Sequence, residues 1–238
     1  MNKKSEKLYL ILAGIFIASL VSCNLIFQKF FQIDIWLPFY GNYTFQQSVG
    51  LLPYPITFIV TDIISEIYGK RKANDVVTSG LIASLFMLLI VTISNIIPSA
   101  PFGIGSEIFN KVFGLSSAAV FASMLAYLFA QYIDVRIYHF WKKLTHGKHL
   151  WFRNNASTMF SQFIDTFVVL ALLFYFDVIN APPSLTQMQF FSQLLMNGFL
   201  FKVFFAAFDT PIIYGLTYII RRKFGLKFGQ EISSINSK

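Results

Sequence analysis

The sequence predicts an all-α membrane protein with six transmembrane helices. Of its 238 residues, 55% are hydrophobic and 13% are charged, whereas an average soluble domain has about 25% charged residues. The mean hydropathy is +0.61, so a soluble globule of this composition would leave too much apolar surface in water. Apolar runs of about 20 residues, the length that crosses a bilayer, recur six times. We therefore expect a single six-helix transmembrane domain over residues 1–238.

The predicted spans are joined by short connections, and they run in order as Leu8–Phe31, Val49–Tyr68, Val76–Ile97, Val112–Ile133, Ala156–Phe176 and Leu194–Ile220. Sixteen of the 19 Lys and Arg residues lie before the first span, in the second and fourth connections, or after the sixth span. The other three connections together hold only Lys111, and Lys29 and Lys202 fall within predicted spans. Because basic residues are enriched on the cytoplasmic side, both termini are predicted to be cytoplasmic.

The ends of several spans need interpretation. Basic residues before the first span and Cys23 near its end resemble a lipoprotein signal sequence. Five further spans follow, and loss of the first would break the alternation of charge, so we interpret it as an ordinary transmembrane helix. In the second span, Pro53 and Pro55 indicate either a kink or a helix break beside a cavity. Pro211 in the sixth span likewise indicates either a kink or a helix break. The outer connection at residues 32–48 is predicted to be a loop.

The polar residues inside the spans are the candidates for function, because a bilayer makes each of them costly. The set consists of Asn24 and Lys29 in the first span, Asp62 and Glu66 in the second, Gln131 and Asp134 in the fourth, Gln162 and Asp165 in the fifth, and Lys202 and Asp209 in the sixth. Asp62 and Glu66 are four residues apart and share one face of a helix. The fourth and fifth spans repeat a small-Gln-aromatic-Ile-Asp pattern, which also places a Gln and an Asp on one face.

A structural role stays open for individual members of this set. Glu66 could pair with Lys70, and Asp134 could pair with Arg136, if both carboxylates lie at the cytoplasmic boundary. Gln side chains also commonly join membrane helices by hydrogen bonds. The sequence does not choose between these structural pairings and a functional role for any one residue.

A polar cavity inside the helix bundle explains the set as a whole. Asp165 and Asp209 lie well inside their spans, where an unpaired charge costs at least a few kcal/mol. Carboxylates and amides are the groups that read the hydrogen-bonding edge of a nucleobase, and the many Phe and Tyr rings can stack on its faces. These residue types therefore suggest a small, planar, polar ligand.

Several other functions are disfavoured. Because Cys23 is the one cysteine, a disulfide scaffold or a Cys-based metal centre is excluded. His139, His146 and His149 lie among basic residues and are interpreted as a solvated loop, so no metal and no cofactor are expected. An intramembrane protease that uses Asp134 with Asp165 stays an alternative, although the chain has no nucleophile or metal motif beside them.

The segment from Pro55 to Ala73 carries a resemblance to a known family. Its centre reads Thr61-Asp62-Ile63-Ile64-Ser65-Glu66-Ile67-Tyr68-Gly69. Together with the polar residues of the first span before it and the two Gln-Asp patterns after it, this segment resembles the queuosine precursor transporter family, a branch of the bacterial vitamin-uptake-type transporters. The resemblance covers essentially the whole chain. One departure is Asn74-Asp75, where the family often continues with an Arg.

The resemblance implies a six-helix protein of the bacterial inner membrane that imports 7-deazaguanine bases for tRNA modification and does not itself bind nucleic acid. It also implies a fold similar to the S-components of energy-coupling-factor transporters, and it makes all ten polar residues named above candidates for substrate binding. A 7-deazaguanine presents N1–H and a 2-amino group, which Asp165 or Asp209 could accept as a bidentate pair, while Gln amides could meet O6. Asp62 or Glu66 could neutralise an aminomethyl group on the base.

The energy source and the partners are left open. The chain has no Walker sequence, so uptake is either downhill with trapping inside the cell or coupled to protons through a carboxylate. The alternative function is a substrate-binding subunit, similar to an S-component, that needs an external ATPase module and carries another vitamin-like molecule. A homo-oligomer is a further possibility that the sequence does not decide.

Overall fold

A computed structural model describes residues 3–27, 29–37, 41–113, 117–146, 148–175, 181–183, 185–227 and 229–232. Its elements are seven helices, a short 3-10 turn and one β-hairpin. In chain order they are α1 (Lys3–Ile26), β1 (Phe30–Leu37), β2 (Gly41–Ser48), the 3-10 turn (Val49–Leu51), α2 (Tyr54–Ile67), α3 (Lys70–Ile96), α4 (Ser106–Phe113), α5 (Ser117–Leu144), α6 (Leu150–Tyr175) and α7 (Gln187–Phe224). The predicted all-α, multi-pass architecture is confirmed.

Five helical segments of the described chain are long and apolar enough to cross a membrane, and they are Lys3–Ile26, Val49–Ile67, Lys70–Ile96, Leu150–Tyr175 and Gln187–Phe224. The predicted fourth span corresponds mainly to α5, which has 28 residues but is not among these five. Residues 114–116, within the predicted fourth span, lie outside the described chain. Large apolar side chains such as Ile82, Phe86 and Leu89 of α3 are exposed, as expected of a surface that faces lipid.

The first span and the connection after it differ from the sequence prediction. Helix α1 ends at Ile26, not at Phe31, and residues 30–48 form an antiparallel hairpin in which Phe30 pairs with Ser48 and Leu37 pairs with Gly41. The predicted loop at residues 32–48 is therefore wrong. Lys29 was also misplaced, since it lies after the helix and is exposed. The alternation of apolar and polar residues from Phe31 to Ile35 is typical of a strand, and it explains the hairpin.

Helix α2 is the centre of the bundle and packs against α1, α3, α5 and α7. Nearly all of its residues from Thr57 onward are buried, and Ile63, Ile64 and Ile67 join the main apolar core with Phe16 of α1. The prolines of the second span cause neither a kink nor a break within helix α2. Pro53 is the N-cap of α2 and Pro55 lies in its first turn, where proline is tolerated. Pro211 lies within the continuous helix α7.

The start of α2 depends on a close approach of two backbones at Gly50. A Cβ atom added there would lie 2.7 Å from the carbonyl oxygen of Cys23 and 2.7 Å from Cβ of Phe27. We expect Gly50→Ala to destabilise the folded protein by about 1–3 kcal/mol, because α1 and the 3-10 turn must separate. Thermal unfolding in detergent measures this change. Gly14→Ala in α1 is the matched control, since nothing lies within 4 Å of the added atom, and an equal loss of stability in both variants would contradict the argument.

Candidate functional site

A buried polar contact joins α2, α6 and α7. Nζ of Lys202 lies 2.6 Å from Oδ2 of Asp165, and the hydroxyl of Tyr54 donates to the same oxygen over 2.6 Å. The Lys202 and Asp165 side chains are 9% and 4% exposed, and the ammonium group also lies 4.7 Å from the centre of the Tyr54 ring. Oδ1 of Asp165 has no hydrogen-bond partner. The pair is thus neutral overall and keeps one buried acceptor available.

A small cavity of about 20 Å³ lies beside this pair, between the 3-10 turn, α2, α6 and α7. Its polar wall consists of Lys202, Gln162, Asp209 and Thr158, and its apolar wall includes the rings of Tyr54, Phe58, Phe201 and Phe205. Such a volume holds about one water molecule and is far below the roughly 300–1,000 Å³ of typical small-molecule pockets. A planar ligand can enter only if aromatic side chains or Lys202 move.

Gln162 and Gln131 both bring unused hydrogen-bonding atoms to this region. Both side-chain polar atoms of Gln162 lack a partner, and Gln162 is 2% exposed. Gln131 donates to the hydroxyl of Tyr127 over 2.8 Å, while its Oε1 has no partner. The Tyr127 ring packs edge-on against Tyr54, with ring centres 5.5 Å apart. The two Gln-Asp patterns therefore converge on the same part of the bundle.

Asp62 and Asp134 form a second polar region. They are 1% and 0% exposed. Ser161 donates to Oδ1 of Asp134 over 3.1 Å, whereas Oδ2 of Asp134 and both carboxylate oxygens of Asp62 have no hydrogen-bond partner. The pairing of Asp134 with Arg136 that the sequence left open does not occur, because Arg136 is exposed. These carboxylates lie inside the bundle rather than at its edge.

Glu66 belongs to a third region, an ion-pair cluster that joins α2 to α5, α6 and α7. Its carboxylate lies 3.5 Å from Nζ of Lys142 and 3.2 Å from Nη2 of Arg153, and it accepts a short hydrogen bond from Arg221. The hydroxyl of Tyr138 donates to it over 2.8 Å. The suggested partner Lys70 is not among these cations and is exposed at the start of α3.

The two candidates of the first span stay outside these regions. Asn24 donates to the carbonyl oxygen of Leu20 and to Oγ of Ser84, which ties α1 to α3. Lys29 is exposed between α1 and the hairpin. The structure therefore gathers eight of the ten candidates on α2, α5, α6 and α7.

Sequence reasoning missed the tyrosines and the buried cations. Tyr54 was not separated from the other aromatic residues, although it starts the helix that carries the Asp62 motif. Lys142, Arg153 and Arg221 were interpreted as exposed basic residues of the cytoplasmic connections and tail. No local pattern marks them as buried, because their partner, Glu66, lies between 76 and 155 residues away in sequence.

Comparison with known proteins agrees with this arrangement. The model of the family described as "Putative vitamin uptake transporter" matches residues 48–216, which include α2, α5, α6 and most of α7. A Haemophilus influenzae protein named "Probable queuosine precursor transporter" is 26% identical over 227 residues, which cover 93% of this chain and 91% of that protein. A Bacillus subtilis protein with the same name is 29% identical over 128 residues, which cover 53% of this chain and 56% of that protein.

No solved structure matches the chain. The family match extends over more than half of the chain, and it contains the aspartate and glutamate of α2, the Gln-Asp patterns and the Lys-Asp pair of α7. The Haemophilus influenzae relative extends the similarity over 93% of the chain. On this evidence, the chain belongs to the vitamin uptake transporter family.

Proposed function

We propose that this protein imports queuosine precursors, the 7-deazaguanine bases used in tRNA modification, across the bacterial inner membrane. The names of its two relatives supply the substrate class. The observation that carries the proposal is the buried Asp165–Lys202 pair beside a cavity whose wall holds unused amide and carboxylate groups. In this proposal α5 is a sixth span, both termini are cytoplasmic, and no metal or cofactor takes part.

The base binds between α2, α6 and α7. Asp209 reaches the cavity wall directly, so its carboxylate accepts N1–H and the 2-amino group as a bidentate, charge-assisted pair. Gln162, which has no competing partner, donates to O6. The rings of Phe201 and Phe205 enclose the cavity and offer faces against which the bicyclic ring can stack.

Asp165 and Lys202 adjust the charge of the site to the substrate. When the base carries an aminomethyl cation, the free oxygen of Asp165 accepts from it. When the base is neutral, Lys202 balances Asp165. Glu66, which the sequence offered as a partner for such a cation, is already surrounded by three cationic side chains, so its role is to hold the helices together.

The test is queuosine in tRNA of cells that can neither make nor import the base. We expect the wild-type chain to restore queuosine when the base or a biosynthetic precursor is supplied. Asp209→Asn should lower the initial rate of base uptake by about 10- to 100-fold, since a hydrogen bond to a charged group contributes about 1.5–3 kcal/mol. Glu107→Gln on α4 is the control, because that carboxylate is exposed and outside the cavity.

Two outcomes would overturn this proposal. One is a wild-type chain that reaches the membrane but restores no queuosine with any precursor. The other is restoration that Asp209→Asn does not reduce. If restoration appears only when an ATPase module is expressed beside the chain, the S-component-like alternative is the correct function.

A further inference from the structure

Among the described residues, three buried carboxylates of the bundle, Asp62, Asp134 and Asp209, have no cationic partner, and of these only Asp209 lines the cavity. Glu66 contacts three cations and Asp165 contacts Lys202. In the described part of the chain, neither Asp62 nor Asp134 lies within 4.0 Å of a Lys, Arg or His nitrogen. Both are almost completely buried, at 1% and 0% exposure. In the proposed binding mode neither Asp62 nor Asp134 contacts the base, and neither takes part in the ion pairs that join the helices.

The immediate surroundings of the two side chains supply hydroxyl groups from α6. Ser161 donates to Oδ1 of Asp134, and the hydroxyls of Ser157 and Thr158 also face this carboxyl group. Thr158 is 5% exposed, and its oxygen lacks a partner in bonding geometry. Asp62 has no hydrogen-bond partner on either oxygen. The site thus contains more acceptor atoms than donor protons.

The charged groups that act on Asp62 come from α5, α6, α7 and α2 itself. Asp134 of α5, Asp209 of α7 and Glu66 of α2 are negative, and Arg153 of α6 is the positive group among its electrostatic neighbours. Arg153 also lies 3.2 Å from Glu66, which it shares with Lys142 and Arg221. The charged groups around Asp62 are therefore mostly negative.

Neighbouring like charges in a low-dielectric interior disfavour the ionised form of both carboxyl groups. Buried ionisable residues of this kind mark proton pathways in membrane transporters. We propose that Asp62 and Asp134 together bind one proton, and that this proton crosses the membrane with each base. The inference rests on the proposed function, since it assigns the energy source of the same import.

The geometry connects the proton site to the base site through two shared residues. Thr158 faces Asp134 and also lines the cavity, and Asp209 lines the cavity and acts electrostatically on Asp62. When Asp209 binds the donor edge of the base, its charge is partly neutralised, which changes the field at Asp62. Base and proton therefore influence each other's binding, as coupled transport demands.

A proton fits this site better than a metal ion. Among the described residues, no group of three or more His, Cys, Asp or Glu side chains is placed to hold one. The hydroxyl groups of α6 can donate to one carboxylate oxygen while a proton occupies the other. The experiment below separates a proton from a sodium ion.

The experiment uses the purified full chain in sealed vesicles with a pH dye inside and radiolabelled base outside. With the outside one pH unit more acidic, we expect the base to accumulate about tenfold, as one proton per base allows, and the dye to report proton entry on addition of base. Asp62→Asn and Asp134→Asn should each abolish accumulation above the outside concentration. Both variants should still exchange labelled for unlabelled base, which shows that they are folded and bind substrate.

The outcomes separate this inference from the proposed function. If the wild-type chain neither binds nor exchanges any base, the proposed function fails. If it exchanges base but a pH gradient neither concentrates the base nor moves protons, only the proton site is wrong. Accumulation driven by a sodium gradient at equal pH would also overturn it, as would gradient-driven accumulation by Asp62→Asn at the wild-type level.

Discussion

Glu66→Gln is expected to lower the stability of the folded protein by about 3–5 kcal/mol, the typical cost of removing one partner from a buried ion pair. Glu66 is completely buried and its carboxylate faces Lys142, Arg153 and Arg221. A neutral amide would leave these cations near one another without the charge that holds them. Because the cations come from α5, α6 and α7, the loss affects four helices at once.

Thermal unfolding of the purified protein in detergent measures this effect. For a chain of this length, a loss of about 3–5 kcal/mol corresponds to a fall in Tm of about 6–20 °C. Glu231→Gln is the matched control, since Glu231 also pairs with Lys142 over 2.9 Å but its side chain is 30% exposed. An ion pair that water reaches contributes less than a fully buried one, so we expect a smaller fall in Tm for Glu231→Gln. A fall for Glu66→Gln that is no larger than that of the control would contradict the argument.

The sequence predicted the membrane character and the central importance of the second span, because both follow from local patterns. Asp62 and Glu66 share a helix face by their spacing alone, and composition alone identifies long apolar runs. The sequence could not predict that these two carboxylates have different surroundings. Glu66 meets cations that are distant in the chain, whereas Asp62 meets other acidic groups, and only tertiary packing decides which neighbours each residue has.

The first span shows a second limit of sequence reasoning. Apolar content continues from α1 into β1 without a proline or glycine between Ile26 and Phe31, so hydropathy alone extends the helix too far. The change of period from helix to strand is the local signal that was missed. Its consequence for the site is direct, because Phe45 of β2 stacks on Phe201, with ring centres 5.7 Å apart, and Phe201 lines the cavity.

Through Phe45, the hairpin therefore contacts one of the rings that line the cavity. Phe201 belongs to the cavity wall that must move when a base enters. Its stacking partner, Phe45, lies on the hairpin and not on a helix of the bundle. The sequence placed Phe45 in a loop and gave no reason to connect it with α7. The contact between a strand and a helix 156 residues apart in sequence arises only when the chain is folded.

Removal of both charges at the Asp165–Lys202 pair is expected to slow the import of an aminomethyl base at least about tenfold while preserving the fold. Either single change, Asp165→Asn or Lys202→Met, leaves one buried charge unpaired and should cost about 3–5 kcal/mol of stability. The double variant has no unpaired charge, so its stability should be close to that of the wild type. The coupling between the two changes would then be several kcal/mol, as for residues in direct contact.

The double variant separates a structural role of the pair from a role in binding. If the pair only stabilises the bundle, the double variant should transport base at a rate near that of the wild type, and the assignment of Asp165 and Lys202 to the base site would be wrong. If the pair adjusts the charge of the site, the double variant should unfold near the wild-type Tm but import an aminomethyl base at least about tenfold more slowly, since one charge-assisted hydrogen bond is lost. A base without the aminomethyl group should be affected less, because Asp165 does not contact it directly. Unfolding in detergent and uptake of the two bases, measured on the same four proteins, give both comparisons.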